Sequence, residues 1–249
     1  MSWGPIDQDL VAAVDRLLQE RYGGDRSALL LGQVDSNPVD VLVATVLSQA
    51  TTDRASLAAF RRLKERFPRW EMLLGASTAQ LEKLIAPAGL GRQKALRILD
   101  ILKALQVRGG GVSLDFLRGM PAEEARRFLE GLPGVGPKTA ACVLLFGLGR
   151  AAFPVDTHVY RVARRLGLVP EKVDRVRTQK ILQESLDPER YFRLHVNLIV
   201  HGRQVCRARR PRCSECPLAA LCTAASTPPS PQHAQTPLRF PPGRERCRE

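Results

Sequence analysis

The stretch Leu132-Pro133-Gly134-Val135-Gly136-Pro137-Lys138-Thr139-Ala140 constrains this chain more than any other. An amphipathic run carrying Ala125, Phe128 and Leu129 leads into it, and the apolar run Ala140-Ala141-Cys142-Val143-Leu144-Leu145-Phe146 leads out. Two helices joined by Pro-Gly-Val-Gly make a helix-hairpin-helix. Glycine has no Cβ and admits φ > 0, and Pro137 presets φ for the first position of the second helix. Backbone N–H groups without intrahelical acceptors at that start, beside the positive end of the helix dipole, form an anion site. A DNA phosphate suits it, with Gly134, Val135, Gly136 and Thr139 as candidate contacts. Tight helix packing would explain a lone Gly-x-Gly. The whole nine-residue string, with Lys138 directly after the turn, asks for more.

The charge balance points the same way. Lys and Arg number 38 against 25 Asp and Glu, a net +13, which favours a polyanionic partner. The segment after Cys222 holds Arg239, Arg244, Arg246 and Arg248 against Glu245 and Glu249, so +13 less +2 leaves +11 for the rest. No apolar run approaches the ~20 residues of a membrane span, and Met1 to Leu10 hold acids rather than a signal-peptide core. These features predict a cytoplasmic, nucleoid-associated protein with no membrane partner.

Helical periodicity runs through the chain. Ile6, Leu10, Val14, Leu17 and Leu18 share one face before Gly23-Gly24. Asn37-Pro38 opens a second helix, and Asp53 is the expected cap of a third over Arg54 to Arg66. Ser77 to Gln80 forms a capping box, Ala88 to Gly91 a turn, and Gln93 to Leu105 a further helix. Gly109-Gly110-Gly111 reads as a loop, and Asp156 caps a helix that reaches Leu166. Runs around Val176 to Leu186 and Arg190 to Ile199 complete the set. Long alternating strands are absent, so the fold class is all-α. The residues from Thr223 to Glu249, rich in Pro, Ser and Thr, carry too few apolar residues for a core and predict disorder.

Cysteine spacing is the second strong signal. Cys206, Cys213, Cys216 and Cys222 give C-x6-C-x2-C-x5-C within seventeen residues. In a reducing compartment such crowding favours metal over disulfides. Four thiolates suit a Cys₄ site. A zinc knuckle pair would offer two Cys-x-x-Cys units further apart, and this stretch has one; zinc stays open as the weaker alternative. Cys142 reads as a small buried hydrophobe and Cys247 stands apart in the tail.

The hairpin string, then Pro154-Val155-Asp156-Thr157-His158, then the four-cysteine run, together resemble the endonuclease III family of helix-hairpin-helix DNA glycosylases. The likeness extends from about Pro38 to Cys222. It implies two helical domains flanking a cleft: residues 1–36 packing with the cluster domain, 37–152 as a six-helix domain ending in the hairpin, 153–225 as the C-terminal helices and cluster loop, and 226–249 as tail. It implies a [4Fe–4S] cluster on Cys206, Cys213, Cys216 and Cys222, and a monomer acting on double-stranded DNA with damaged bases or abasic sites. Lys138 takes the place of the nucleophilic lysine and Asp156 that of the catalytic aspartate. Gln49, Leu90 and His158 join the hairpin residues as DNA contacts.

Chemistry agrees with those roles. The implied reaction excises an oxidised pyrimidine, which must first leave the base stack. An amine nucleophile forms a Schiff base, and β-elimination then cuts the strand. A carboxylate stabilises the positive charge developing on the sugar. Taken alone, Lys138 reads as a phosphate contact and Asp156 as an N-cap. Three departures from the family pattern bear on substrate range. Gln49, in Ser48-Gln49-Ala50-Thr51-Thr52-Asp53, stands one place earlier than the family's gap-filling glutamine. Gly91-Arg92 replaces a bulkier Tyr-Asn after the Leu90 wedge, and Pro137 replaces an arginine. Two alternatives remain at this level: a weak or inactive damage scanner, and a mismatch-specific glycosylase, which Lys138 argues against.

Overall fold

A computed structural model describes residues 6–108 and 110–225; Gly109, Cys247 and the segment from residue 226 onward, including most of the predicted disordered tail, lie outside the described residues. Ten α-helices and no strand occur among the described residues, in agreement with the all-α expectation.

Helix α1 spans Gln8–Tyr22, with the Asp7 carboxylate accepting from the N–H groups of Asp9 and Leu10 and Gly23 closing it at φ 71°. Helix α2 (Pro38–Leu47) starts on the Asn37 side chain with proline in the first turn, and all ten of its residues are buried. A helix apolar all round belongs in the middle of a bundle. Here α3 (Asp53–Arg66), α5 (Gly91–Arg108) and α7 (Pro137–Cys142) pack on it directly, while α4 (Thr78–Ile85) lies against α3 and α5, and α6 (Ala122–Glu130) against α7. Asp40 is the charged exception on α2. Its carboxylate accepts from the Trp70 indole and the Lys64 ammonium, so the buried charge is paired and hydrogen-bonded.

One expectation is corrected on α3. Thr52, not Asp53, is its N-cap, with Thr52 Oγ1 accepting from Ala55 N–H at 3.3 Å. Asp53 is the first helical residue, and its carboxylate is committed elsewhere: Arg203 donates to both oxygens at 2.7 and 2.9 Å, and Leu30 N–H to one at 3.2 Å. The capping box on α4 forms as read, with Ser77 N–H donating to Gln80 and Gln80 N–H to Ser77.

Past α7 the chain widens into a π-helix, Val143–Gly147, in which Leu148 N–H reaches Val143 C=O at 3.0 Å. Gly147 lies against the start of α2; a Cβ there would stand 2.7 Å from Pro38 Cα. Helices α8 (Thr157–Arg165), α9 (Arg175–Ser185) and α10 (Tyr191–Gln204) follow. The last runs five residues beyond the expected Ile199. Helix α1 returns to pack on α10, where Arg193 holds the buried Asp15 in a two-point ion pair and Asn197 accepts from Gly24 N–H. Helices α8 and α10 cross at Gly202, where a Cβ would meet His158 Cβ at 2.8 Å.

Candidate active site

The hairpin uses its two glycines differently. Gly134 sits at φ 69°, the left-handed region that favours glycine, and a Cβ there would meet the Arg97 side chain at 2.5 Å. Gly136 is extended, at φ −101° and ψ 179°, and a Cβ would touch nothing within 4 Å. No backbone strain or neighbour in the chain therefore demands glycine at 136. Pro137 takes the first position of α7 and Ala140 N–H makes the first turn's bond to Gly136 C=O. Lys138 and Thr139 N–H thus lie in the turn whose donors have no intrahelical acceptor. Val135 faces inward, 5 % exposed, and its N–H donates to Leu132 C=O, so neither its side chain nor its N–H is free for a ligand.

An open cleft of about 660 Å³ collects residues distant in sequence. Lys138 and Asp156 both line it, with Gln49, Gly136, Thr139 and His158. Leu90, Gly134 and Val135 do not. Asp156 caps α8, its Oδ1 accepting from His158 and Val159 N–H, both at 2.8 Å. Leu90 is an exposed apolar side chain, 57 % accessible, on a turn with Gly89 at φ 67° and Leu90 itself at φ 51°. His158 hydrogen-bonds the Arg161 guanidinium through Nδ1, and burial pushes its pKa down.

The cleft also holds residues that periodicity and motif do not single out. His195 on α10 is 1 % exposed, and its Nδ1 lies 2.9 Å from the carbonyl of Pro154, two residues before Asp156. Burial holds its pKa down to about 4, against the opposing pull of the Asp156 carboxylate. A neutral ring must therefore donate Nδ1–H to that carbonyl. Cys142, one helical turn after Lys138, lines the cleft too, and burial raises its thiol pKa while the Lys138 ammonium opposes that. Arg203 reaches in from α10 and Gln179 on α9 donates to Pro137 C=O at 3.2 Å. Only the i, i+4 spacing of Lys138 and Cys142 was visible in the sequence; the other approaches are tertiary.

The cysteine run follows α10. Cys206, Cys213, Cys216 and Cys222 line one small cavity of about 100 Å³, and none of them is in a disulfide. Burial above all, with smaller contributions from the other three cysteines, pushes the Cys216 thiol up to about 12. Arg165 caps the loop: its Nη1 lies 3.3 Å from Cys206 Sγ and its carbonyl accepts from the Cys222 thiol. His201 Nε2 is 3.6 Å from Cys216 Sγ, while its Nδ1 meets the Tyr22 hydroxyl at 3.0 Å. Among the described residues no three ligating side chains converge on one ion. Four thiols on one cavity are the donor set that an iron–sulfur cluster takes.

Known proteins agree with both halves of this arrangement. Residues 43–188 match the HhH-GPD superfamily of base excision DNA repair proteins, and residues 206–222 match the iron–sulfur binding domain of endonuclease III. A candidate DNA glycosylase of Arabidopsis thaliana is 41% identical over 169 residues, 68% of this chain and 58% of that protein, so the chain spans little more than half of that relative. Endonuclease III of Bacillus subtilis (strain 168) is 37% identical over 190 residues, 76% of this chain and 82% of the enzyme. The endonuclease III chain of a trapped covalent complex with DNA containing an estranged adenine superposes with a TM-score of 0.76 at 31% identity, covering 88% of this chain and 96% of that one. These matches also carry the [4Fe–4S] cofactor onto the cysteine loop. A DNA-binding helix-hairpin-helix, a cleft beside it and an iron–sulfur loop therefore place the chain in the endonuclease III family of HhH-GPD DNA glycosylases of base excision repair.

Proposed function

We propose that the protein is a bifunctional glycosylase and abasic-site lyase that removes oxidised pyrimidines from duplex DNA, working as a monomer in the cytoplasm. The single observation that carries this reading is the presence of Lys138 and Asp156 on the same cleft, beside the hairpin turn. A solved relative, 31% identical, was trapped as a covalent endonuclease III–DNA intermediate, which supports an amine nucleophile here.

The steps follow from the chemistry. Hairpin N–H groups of Lys138 and Thr139 bind a backbone phosphate, and the open face at Gly136 lets it approach. Lesion and sugar leave the stack and enter the cleft. The Lys138 amine attacks C1′ as the N-glycosidic bond breaks; that bond's electron pair leaves with the base, which takes up the proton released from the attacking nitrogen. The Asp156 carboxylate stabilises the positive charge on the sugar. Ring opening gives a protonated Schiff base between C1′ and Lys138. Loss of a proton from C2′ then expels the 3′ phosphate and cuts the strand. His195 holds the Pro154 carbonyl and so steadies the loop that delivers Asp156. Bound through Cys206, Cys213, Cys216 and Cys222, the cluster supplies a rigid cross-link and a one-electron couple, and the glycosylase steps consume no electron.

The test is a duplex panel carrying thymine glycol, dihydrouracil, an abasic site or a mismatch, each incubated with borohydride. The wild type is expected to excise the oxidised pyrimidines and to be trapped. Lys138→Gln is expected to bind the same DNA, form no adduct and leave abasic strands uncut. An adduct formed by Lys138→Gln would move the nucleophile elsewhere, the N-terminal amine first, and return Lys138 to a phosphate contact.

A further inference from the structure

Arg97 belongs to no motif, yet it joins the Gln49 segment and the hairpin to the helix that follows the Leu90 turn. It is half-buried on α5, the helix that begins directly after the Leu90 turn. Its Nη1 donates to Gln49 Oε1 at 2.6 Å. Its stem passes beneath Gly134 in the hairpin, where a Cβ would stand 2.5 Å from Arg97 Nε and 2.9 Å from Cδ. A second α5 side chain backs it up: the buried Lys94 ammonium donates to Leu47 C=O at 2.8 Å and Ala88 C=O at 2.7 Å. Those carbonyls lie two residues before Gln49 and two before Leu90. Desolvation lowers the Lys94 pKa, and the two carbonyls compensate the charge.

We propose that Arg97 is a positioning residue that fixes both the place and the hydrogen-bond polarity of Gln49 at the mouth of the cleft. The inference rests on the reading above that this face meets DNA. A guanidinium has five donors and no acceptor, so the amide oxygen of Gln49 must face it. The short charge-assisted bond then commits that oxygen to the protein. The Nε2 protons, which meet no acceptor among the described residues, are what Gln49 has left for a base or a gap in the duplex. Residue 50 is in the left-handed region at φ 52°, a conformation that an alanine adopts only at a cost. Arg97 and Lys94 anchor the chain just before it, at the Gln49 side chain and the Leu47 carbonyl. The unusual register of the glutamine is thereby matched by an arginine that reaches it.

The test needs no catalysis, so its failure is distinct from failure of the proposed reaction. Full-length protein with its cluster is titrated with an intact duplex and with a duplex carrying a tetrahydrofuran abasic analogue opposite 2-aminopurine. The wild type is expected to prefer the second duplex and to raise the fluorescence of 2-aminopurine. Arg97→Met, which keeps the stem under Gly134, and Gln49→Ala are each expected to lower that preference about tenfold, with the double variant no lower than either. Gln49→Glu keeps an oxygen for Arg97 but loses the donors, and is expected to lower the fluorescence response while leaving thermal stability unchanged. Arg97→Lys, which keeps the charge without the fork, is expected to fall between wild type and Arg97→Met. Losses that multiply in the double variant would make the two residues independent. Equal weakening on both duplexes by Arg97→Met would make Arg97 a phosphate contact. Either result overturns the proposal, as does a wild type without preference.

Discussion

Substitution of Asp156 separates a helix cap from a catalytic charge. Its Oδ1 accepts two backbone N–H bonds, from His158 and Val159, each at 2.8 Å. Asp156→Ala removes both and is expected to cost about 1–2 kcal/mol of stability, the usual loss for an N-cap. At roughly 2–4 °C per kcal/mol for a chain of this size, Tm falls by about 2–8 °C. Asp156→Asn keeps an oxygen for the same two donors and gives up only the charge–dipole part, about 0.5 kcal/mol, or about 1–2 °C. The proposed catalytic role depends on the other property. An electrostatic stabiliser of a developing cation contributes on the order of 3 kcal/mol, so both variants are expected to cut a thymine glycol duplex on the order of 100-fold more slowly. The assay is single-turnover cleavage beside calorimetry, with borohydride trapping still detectable in Asp156→Asn at long times. An Asn variant at wild-type rate would leave Asp156 a cap and nothing more. An Asn variant as unstable as the Ala variant would show that charge, not the accepting oxygen, holds α8.

Three further outcomes follow from the geometry. Purified without air or chelator, the chain is expected to be yellow-brown and to hold about four irons; stoichiometric zinc without iron, read by metal analysis, would refute the cluster. His195 titrates near 4 in the folded protein and near 6.5 when unfolded, so the unfolded chain takes the proton first: its contribution is whole above pH 6.5 and is lost as the pH falls toward 4, roughly 3 kcal/mol. Denaturant titrations of wild type and His195→Asn across that window should therefore converge toward acid, and parallel curves would refute it. Leu90→Ala is expected to slow excision from a paired lesion more than cleavage at an abasic site, since unstacking costs a few kcal/mol only where pairing persists; equal losses would remove Leu90 from base opening.

Local chemistry was legible in the sequence and tertiary commitment was not. Ser77 and Gln80 satisfy each other within one turn, so their capping box can be read from four letters. Thr52 and Asp53 are both capping residues, and the choice between them was settled by Arg203, 150 positions away. The hairpin string marks its turn, but it does not reveal that only Gly134 needs its backbone freedom while Gly136 is open. The π-helix at Val143–Gly147 hides in an apolar run whose pattern does not distinguish a wide turn from an ordinary one. Lys138, Asp156 and Gln49 do reach one cleft. Arg97 and His195 could not be singled out, because nothing local distinguishes them from a surface arginine and a core histidine.

The pairing of α1 with α10 also sets an order of events during synthesis. The ion pair between Asp15 and Arg193 joins residues 178 positions apart. At ribosomal rates of roughly 5–20 residues per second, α1 waits about 10–40 s for its partner. Helices α2 to α7 meanwhile have their neighbours close by and can close around the buried α2. The cleft is still incomplete at that stage, because His195 and Arg203 arrive with α10 and the fourth cysteine comes later still. An interrupted chain therefore carries the hairpin and Lys138 beside a cleft that still lacks the wall α10 provides.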